Sequence, residues 1–296
     1  MKKLVRLFRM AHTCQRLQTL STHKFWNSYT PIRRVTQIKN FFICLVFCFG
    51  AMNESLAQAE NEWINLFNGK DLDNWRVKFT GHLLGVNFRD TFRVENGLLT
   101  VSYENWDDFN GEFGHLFYDQ VFSHYILRVE YRFIGEQVAN GPSWAYRNNG
   151  MMLHSQDPRS MTLDQEFPVS IESQLLGGNG TESRTTSNVC TPGTNMVMDG
   201  DLITRHCTNS NSDTFHGDQW VTAEMEIRGN EILVHRINGR IVFELHDIQL
   251  DETDPDAQAL LANGAEFELK EGYVALQAES HPTQFRVIEI LPLAEE

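Results

Sequence analysis

Most of the chain alternates apolar and polar residues with period two. Val221, Ala223, Met225 and Ile227 alternate with Thr222, Glu224, Glu226 and Arg228, the pattern of a strand with one face in a core and the other in water. Gly229-Asn230 then marks a tight turn, a second run reaches Ile237, and Asn238-Gly239 marks the next turn. Ile241, Phe243 and Leu245 carry a third run, so the segment predicts a β-meander. Asn96-Gly97 joins two further runs, 91–95 and 98–103. More strands are expected near 113–118, 123–134, 149–155, 168–176, 272–279 and 283–292. One helix is predicted over roughly 255–263: Asp254 can cap it, Pro255 suits its first position and Gly264 its exit. Many strands with frequent turn signals and one short helix predict an all-β, two-sheet jelly-roll sandwich.

The only long apolar run, Phe41 to Gly50, is too short for a membrane span, which needs roughly 20 residues. It has the length of a signal-peptide core, with Arg33, Arg34 and Lys39 before it and Ala57-Gln58-Ala59 after it. Cleavage after Ala59 is expected, giving a leader of residues 1–59 and a single domain of residues 60–296. The stretch before the run is long for a signal, and a start codon set too far upstream or an Arg-rich transit peptide are the alternatives. Charge divides at the same place. Residues 1–59 carry nine Lys and Arg against one acid, whereas 60–296 carry 16 basic and 38 acidic residues, a net of −22. Such a body repels phosphate, which argues against unspecific nucleic-acid binding and points to a neutral partner. Cys190 and Cys207 are the two cysteines left in the body. In an exported protein, periplasmic or extracellular, they read as a disulfide. Their spacing fits no zinc pattern.

Several segments, taken in order, resemble one family. Leu66-Phe67-Asn68-Gly69-Lys70-Asp71-Leu72 with Trp75 resembles its opening signature. Asn148-Asn149-Gly150-Met151, Ile171-Glu172-Ser173-Gln174-Leu175-Leu176, Gly217-Asp218-Gln219-Trp220, Asn238-Gly239, Gly272-Tyr273-Val274-Ala275-Leu276-Gln277 and Phe285-Arg286-Val287-Ile288 resemble its later ones. The chain is thus similar to the 3-keto-disaccharide hydrolase domain family over about 63–293. The resemblance implies a concanavalin A-like jelly roll, related to lectins and laminarinase-type glucanases, that works on carbohydrate. Two positions depart from the family: His154 stands where Arg is frequent, and Val287 where Asn is frequent.

Within such a sandwich, strand parity places Glu172 with Gln174, Gln277 with Glu279, and Asn148 with Gly150, Met152 and His154. Their convergence in one groove is the expectation. Glu172 lies in an otherwise apolar run, where a carboxylate is costly unless paired or functional; an ion pair with Arg147 or Arg286 is the structural alternative. The Glu-x-Asp-x-x-Glu strand of laminarinase-type enzymes is missing, so double displacement by two carboxylates about 5–5.5 Å apart is disfavoured unless Glu279 supplies the second group. A 3-keto sugar offers another route: a base removes the acidified hydrogen on C2, the C1 substituent leaves, and water adds back. Glu172 or His154 is the candidate base, and Arg147, Gln174 or a cation the enolate stabiliser. Trp144 and Tyr146 are candidate stacking platforms; Asn149, Gln277 and Glu279 complete the expected binding set. Trp63, Trp75 and Trp220 are expected in the core, and Trp106 as a loop anchor on it. No His-x-His or His-Glu-x-x-His pattern marks a metal, although the fold leaves room for a loosely held calcium or other divalent ion. The competing class is a non-catalytic, lectin-like module binding the same neutral saccharide.

Overall fold

The computed structural model describes residues 62–295. The basic leader and the expected cleavage point after Ala59 lie outside them. Seventeen strands follow in chain order: β1 (Ile64–Asn65), β2 (Trp75–Phe79), β3 (Phe92–Glu95), β4 (Leu98–Val101), β5 (Gly114–Phe122), β6 (His124–Phe133), β7 (Asn148–Ser155), β8 (Ile171–Leu176) and β9 (Asn188–Cys190), then β10 (Thr194–Met198), β11 (Asp201–Ile203), β12 (Cys207–Thr208), β13 (Val221–Arg228), β14 (Ile232–Ile237), β15 (Arg240–Leu250), β16 (Gly272–Ala278) and β17 (Thr283–Pro292). One α-helix, α1 (Pro255–Ala262), precedes β16, and Asp254 caps it by accepting from the N–H groups of Asp256 and Ala257.

All named strand pairs are antiparallel. The larger sheet runs β11-β10-β15-β14-β13-β6-β17-β4-β3, with β1 added on β17; the smaller runs β12-β9-β8-β7-β16-β5-β2. The two form the expected jelly-roll sandwich. The meander appears as β13, β14 and β15 in register. Leu99, Leu127, Tyr131, Met151, Leu153, Ile171, Leu276 and Phe285 belong to the core between the sheets.

The larger sheet is half-solvated. β13 alternates buried and partly exposed positions along its whole length, and Arg128 on its outer face bridges Glu224 and Glu289. Two tryptophans expected in the core lie there instead. Val221 points inward, so Trp220 points outward and sits under the guanidinium groups of Arg132 and Arg286, each 4.6 Å from the ring centre. Trp63 lies 3.8 Å under Arg128. Trp75 packs against the core and Trp106 is buried in it, as expected.

The smaller sheet differs in a way that matters for function. β7 is buried at all eight positions and β8 at all but Gln174. Its outer face is therefore covered as well, partly by the 156–170 connection. Met161 from that connection packs on Phe117, Met152 and Ala275, while Lys78 Nζ donates to Leu163 O at 2.9 Å. Polar side chains on a covered face must be paired or functional. Cys190 and Cys207 are disulfide-bonded across the β9–β12 edge of this sheet.

Candidate functional site

Cross-strand register sorts the outer face of the smaller sheet into rows. One row reads Cys190, Glu172, Met152, Ala275 and Phe117, so the Glu172 carboxylate stands among apolar neighbours. The next is polar. Asn188 faces Gln174, Gln174 faces Gly150, and Gln277 faces His115, which faces Lys78. Leu276 pairs with Met151, so Gln277 falls opposite Gly150 and closes the row. One step further, the same register carries Glu279 to a place opposite Asn148, which pairs with Leu176.

Gly150 is the hinge of this arrangement. A Cβ at that position would stand 2.3 Å from Glu172 Oε1 and 2.5 Å from Gln277 Oε1. The carboxylate and the amide therefore converge in the space that the missing side chain leaves. Asn149 fixes the backbone beneath: its Nδ2 donates to Gln277 O at 2.8 Å and its Oδ1 accepts from Gly150 N–H at 2.9 Å.

Glu172 and Glu279 are only 6% and 3% exposed. Burial, then the neighbouring Glu279 charge, raises the Glu172 carboxyl well above the usual range. The Gln277 amide opposes that shift without completing a hydrogen bond. Burial also raises Glu279, to about 8, against the pull of Arg184. The two titrate as a pair, and the neighbouring cation Arg184 acts on Glu279. Around them several buried polar atoms have no protein partner: both amide atoms of Asn148 and of Gln277, Glu279 Oε2, His115 Nε2 and both ring nitrogens of His281. Such a concentration of unpaired donors and acceptors is costly to fold. A ligand carrying several oxygens would satisfy it.

His154 does not join this group, contrary to the expectation from parity. Between the Tyr273–Ser155 and Ala275–Met152 pairs β7 carries one residue more than β16, and His154 takes a positive φ of 46°. The bulge turns its ring inward, edge-on to Tyr125. Its Nε2–H donates to Gly229 O at 3.0 Å, and burial lowers its pKa to about 4. Asn149 is likewise withdrawn from the expected substrate contacts, because both its side-chain heteroatoms bind backbone. Arg147 is also occupied: it donates to Gly217 O and forms an ion pair with Asp218 at 3.0 Å.

Trp144 is 51% exposed and stacks on Phe113 at 5.8 Å, which packs in turn on Phe167. This leaves a flat face open beside the site. Tyr146 is half-buried, edge-on to His281 at 5.1 Å. Gln174 is half-buried and accepts from Asn188 Nδ2 at 3.2 Å. Strand parity places Asn148 in the groove; sequence reasoning missed Lys78, His115, His281 and Arg184. Strand parity could have found His115 and Lys78 once the pairing of β5 with β16 was known; no local signal marks Arg184.

Among the described residues, the one cluster of His, Cys, Asp or Glu atoms close enough to hold a metal is Cys190, His206 and Cys207. Both sulfurs are tied up in the disulfide, so this donor set does not fit a cation. No cofactor is established.

The sequence profile of the 3-keto-alpha-glucoside-1,2-lyase-like domain matches residues 62–291. No curated protein is a sequence match. Among solved structures, a candidate glycosyl hydrolase from Parabacteroides distasonis ATCC 8503 is similar at 16% identity and a TM-score of 0.46, over 79% of this chain and 100% of that one. A Bacillus subtilis protein with a galectin-like fold is similar at 11% identity and a TM-score of 0.41, over 76% and 92%. The lumenal domain of VIP36, bound to Ca2+ and Man3GlcNAc, is similar at 9% identity and a TM-score of 0.45, over 81% and 91%.

Proposed function

The chain belongs to the 3-keto-alpha-glucoside-1,2-lyase-like domain family, and from that membership we propose that it cleaves the glycosidic bond of a 3-keto or otherwise modified neutral sugar by elimination and hydration. The observation that carries this reading is the buried Glu172–Glu279 pair, with its raised affinity for protons, beside the unpaired amides of Gln277 and Asn148. A lectin needs hydrogen bonds and stacking, not two buried carboxyl groups.

Glu279, the carboxyl group on which Arg184 acts, is the base. It takes the hydrogen from C2 of the 3-keto sugar, and the C–H electrons form the enolate. Amide donors of Gln277 and Asn148 are placed to bind the enolate oxygen. The enolate electrons then return to form C1=C2 as the C1–O bond breaks, and Glu172 gives its proton to the departing oxygen. Water next adds its hydroxyl to C1, its proton returning to Glu172, while Glu279, whose proton exchanges with solvent before the addition, protonates C2. This exchanges the base role first expected of Glu172 for that of acid, because the nearby cation acts on Glu279 and not on Glu172. Trp144 offers its open face to a sugar ring.

Export to the periplasm or outside the cell is part of the proposal. The disulfide supports it, and no helix among the described residues is long and apolar enough to cross a membrane. The test is to incubate the secreted chain with 3-keto-glucosides and their unoxidised parents, with and without chelator. Cleavage of the keto forms alone is expected. Binding without cleavage, or equal cleavage of both, overturns the reading.

A further inference from the structure

Arg184 is a half-buried cation with no carboxylate of its own. Its guanidinium lies in a ring of backbone carbonyls: Nη1 donates to Gly177 O at 3.0 Å and to Tyr146 O, and Nη2 to Trp144 O at 2.9 Å. Among the described residues no Asp or Glu forms an ion pair with it, whereas Arg147 next door pairs with Asp218. Carbonyl oxygens satisfy the N–H groups but leave the net charge in place. A charge drawn partly out of water without a counter-charge is costly, so its position needs a cause.

The register supplies one. Gly177 N–H donates to Arg147 O at 2.9 Å, directly after the Asn148–Leu176 pair. Asn148 is the residue opposite which Glu279 falls. The guanidinium is thus fixed one step from the Glu279 end of the carboxyl pair, and further from Glu172, which pairs with Met152 four residues along β7. We infer that Arg184 is the positioning residue of this pair: its uncompensated charge, held by the carbonyls of Trp144, Tyr146 and Gly177, assigns the base role to Glu279 and the acid role to Glu172. This rests on the elimination reading for the chemistry, but not for the electrostatics.

The other charged or titratable groups around Glu279 do not account for the asymmetry. Tyr103 and His281 are neutral: burial raises the phenol far above its usual range and lowers the imidazole to about 3. His115, beyond Gln277, is also neutral, at about 3, and the charge of Lys78 beside it acts with Asp164 and not on Glu279. Arg147 is compensated by Asp218. Arg184 remains as the cation that favours a carboxylate at Glu279. The same grip ties the 144–147 segment, and with it the Trp144 platform, to the carboxyl pair.

The experiment titrates the buried carboxyl groups of the whole secreted chain by carbon NMR with side-chain-labelled glutamate, in wild type, R184K and R184M, with E279Q to assign the signal. In R184M the Glu279 step should move up by about one pH unit or more, the effect expected when a nearby opposite charge is lost. In R184K it should return most of the way to wild type. The ascending limb of the pH–rate profile on a 3-keto-glucoside should shift with it. An unchanged Glu279 step in a folded R184M overturns the inference, as does an R184K that titrates like R184M. Should R184M fail to fold, R184Q, which keeps amide donors toward the carbonyls, gives the same comparison. Absence of turnover in every variant would defeat the elimination reading alone, because the titration is read without substrate.

Discussion

Gly150→Ala separates the site from the fold. Gly150 is not at a positive φ, so alanine suits its backbone, and the clip made by Asn149 is untouched. The added Cβ would meet Glu172 Oε1 at 2.3 Å, while ordinary contact begins at 3.4 Å, so the carboxylate must retreat by about 1.1 Å. Gln277 Oε1, at 2.5 Å, must retreat by about 0.9 Å. Neither has slack, since Gln277 is fully buried and Glu172 nearly so. Overpacking of this kind costs about 1–3 kcal/mol of stability, or roughly 2–4 °C of melting temperature per kcal/mol for a domain of this size. A displacement of about 1 Å in a reacting group costs on the order of 100-fold in rate. The variant should therefore melt as a cooperative fold yet lose about two orders of magnitude in kcat/KM on a 3-keto-glucoside. Wild-type kcat/KM in Gly150→Ala would show that the reacting atoms do not sit over residue 150, and the site as drawn would be wrong.

Four further outcomes follow from the same structure. Because the carboxyl pair holds protons more tightly when folded than the ordinary value of 4.5, its stabilisation is complete below that value and is lost as pH rises through about 8. The buried histidines act oppositely but only below 6.5, so the melting temperature should fall between pH 6.5 and 8, and the double variant E172Q/E279Q should flatten that fall in calorimetry. His154→Leu should destabilise by about 1–3 kcal/mol through the lost Gly229 bond while leaving the shape of the pH–rate profile unchanged; a moved limb would return His154 to the chemistry. Trp144→Ala should raise KM by about tenfold, a loss of ~1.4 kcal/mol in binding, with little change in melting. Reducing the Cys190–Cys207 bond should cost about 3 kcal/mol, read as a lowered denaturant midpoint.

The meander, the capped helix, the disulfide pair and the jelly-roll class were legible because each rests on short-range rules: alternation, turn residues, a cap, an even cysteine count. Glu172 was legible for the same reason, being a carboxylate inside an apolar alternation. What escaped depends on contacts between distant segments. One extra residue in β7 reverses the face of His154, and no local signal marks a bulge beforehand. Asn149 is expected among the substrate contacts, yet register makes it a backbone clip and leaves Asn148 unpaired. Arg184 sits in a polar loop and acquires its place only when the carbonyls of Trp144, Tyr146 and Gly177, from two other segments, close around it. Trp220 was misplaced because a large aromatic beside a strand signature suggests core, whereas its parity with Val221 turns it outward onto two arginines.

The most direct measurement of the elimination route is solvent deuterium at C2 of the released sugar. Cleavage of a 3-keto-glucoside in D2O, followed by immediate reduction of the ketone and proton NMR, should show deuterium at C2 in excess of that in controls lacking enzyme or using Glu279→Gln. Cleavage that leaves C2 protonated as in those controls would mean that water displaces the leaving group at C1 directly, and the base role given to Glu279 would be wrong.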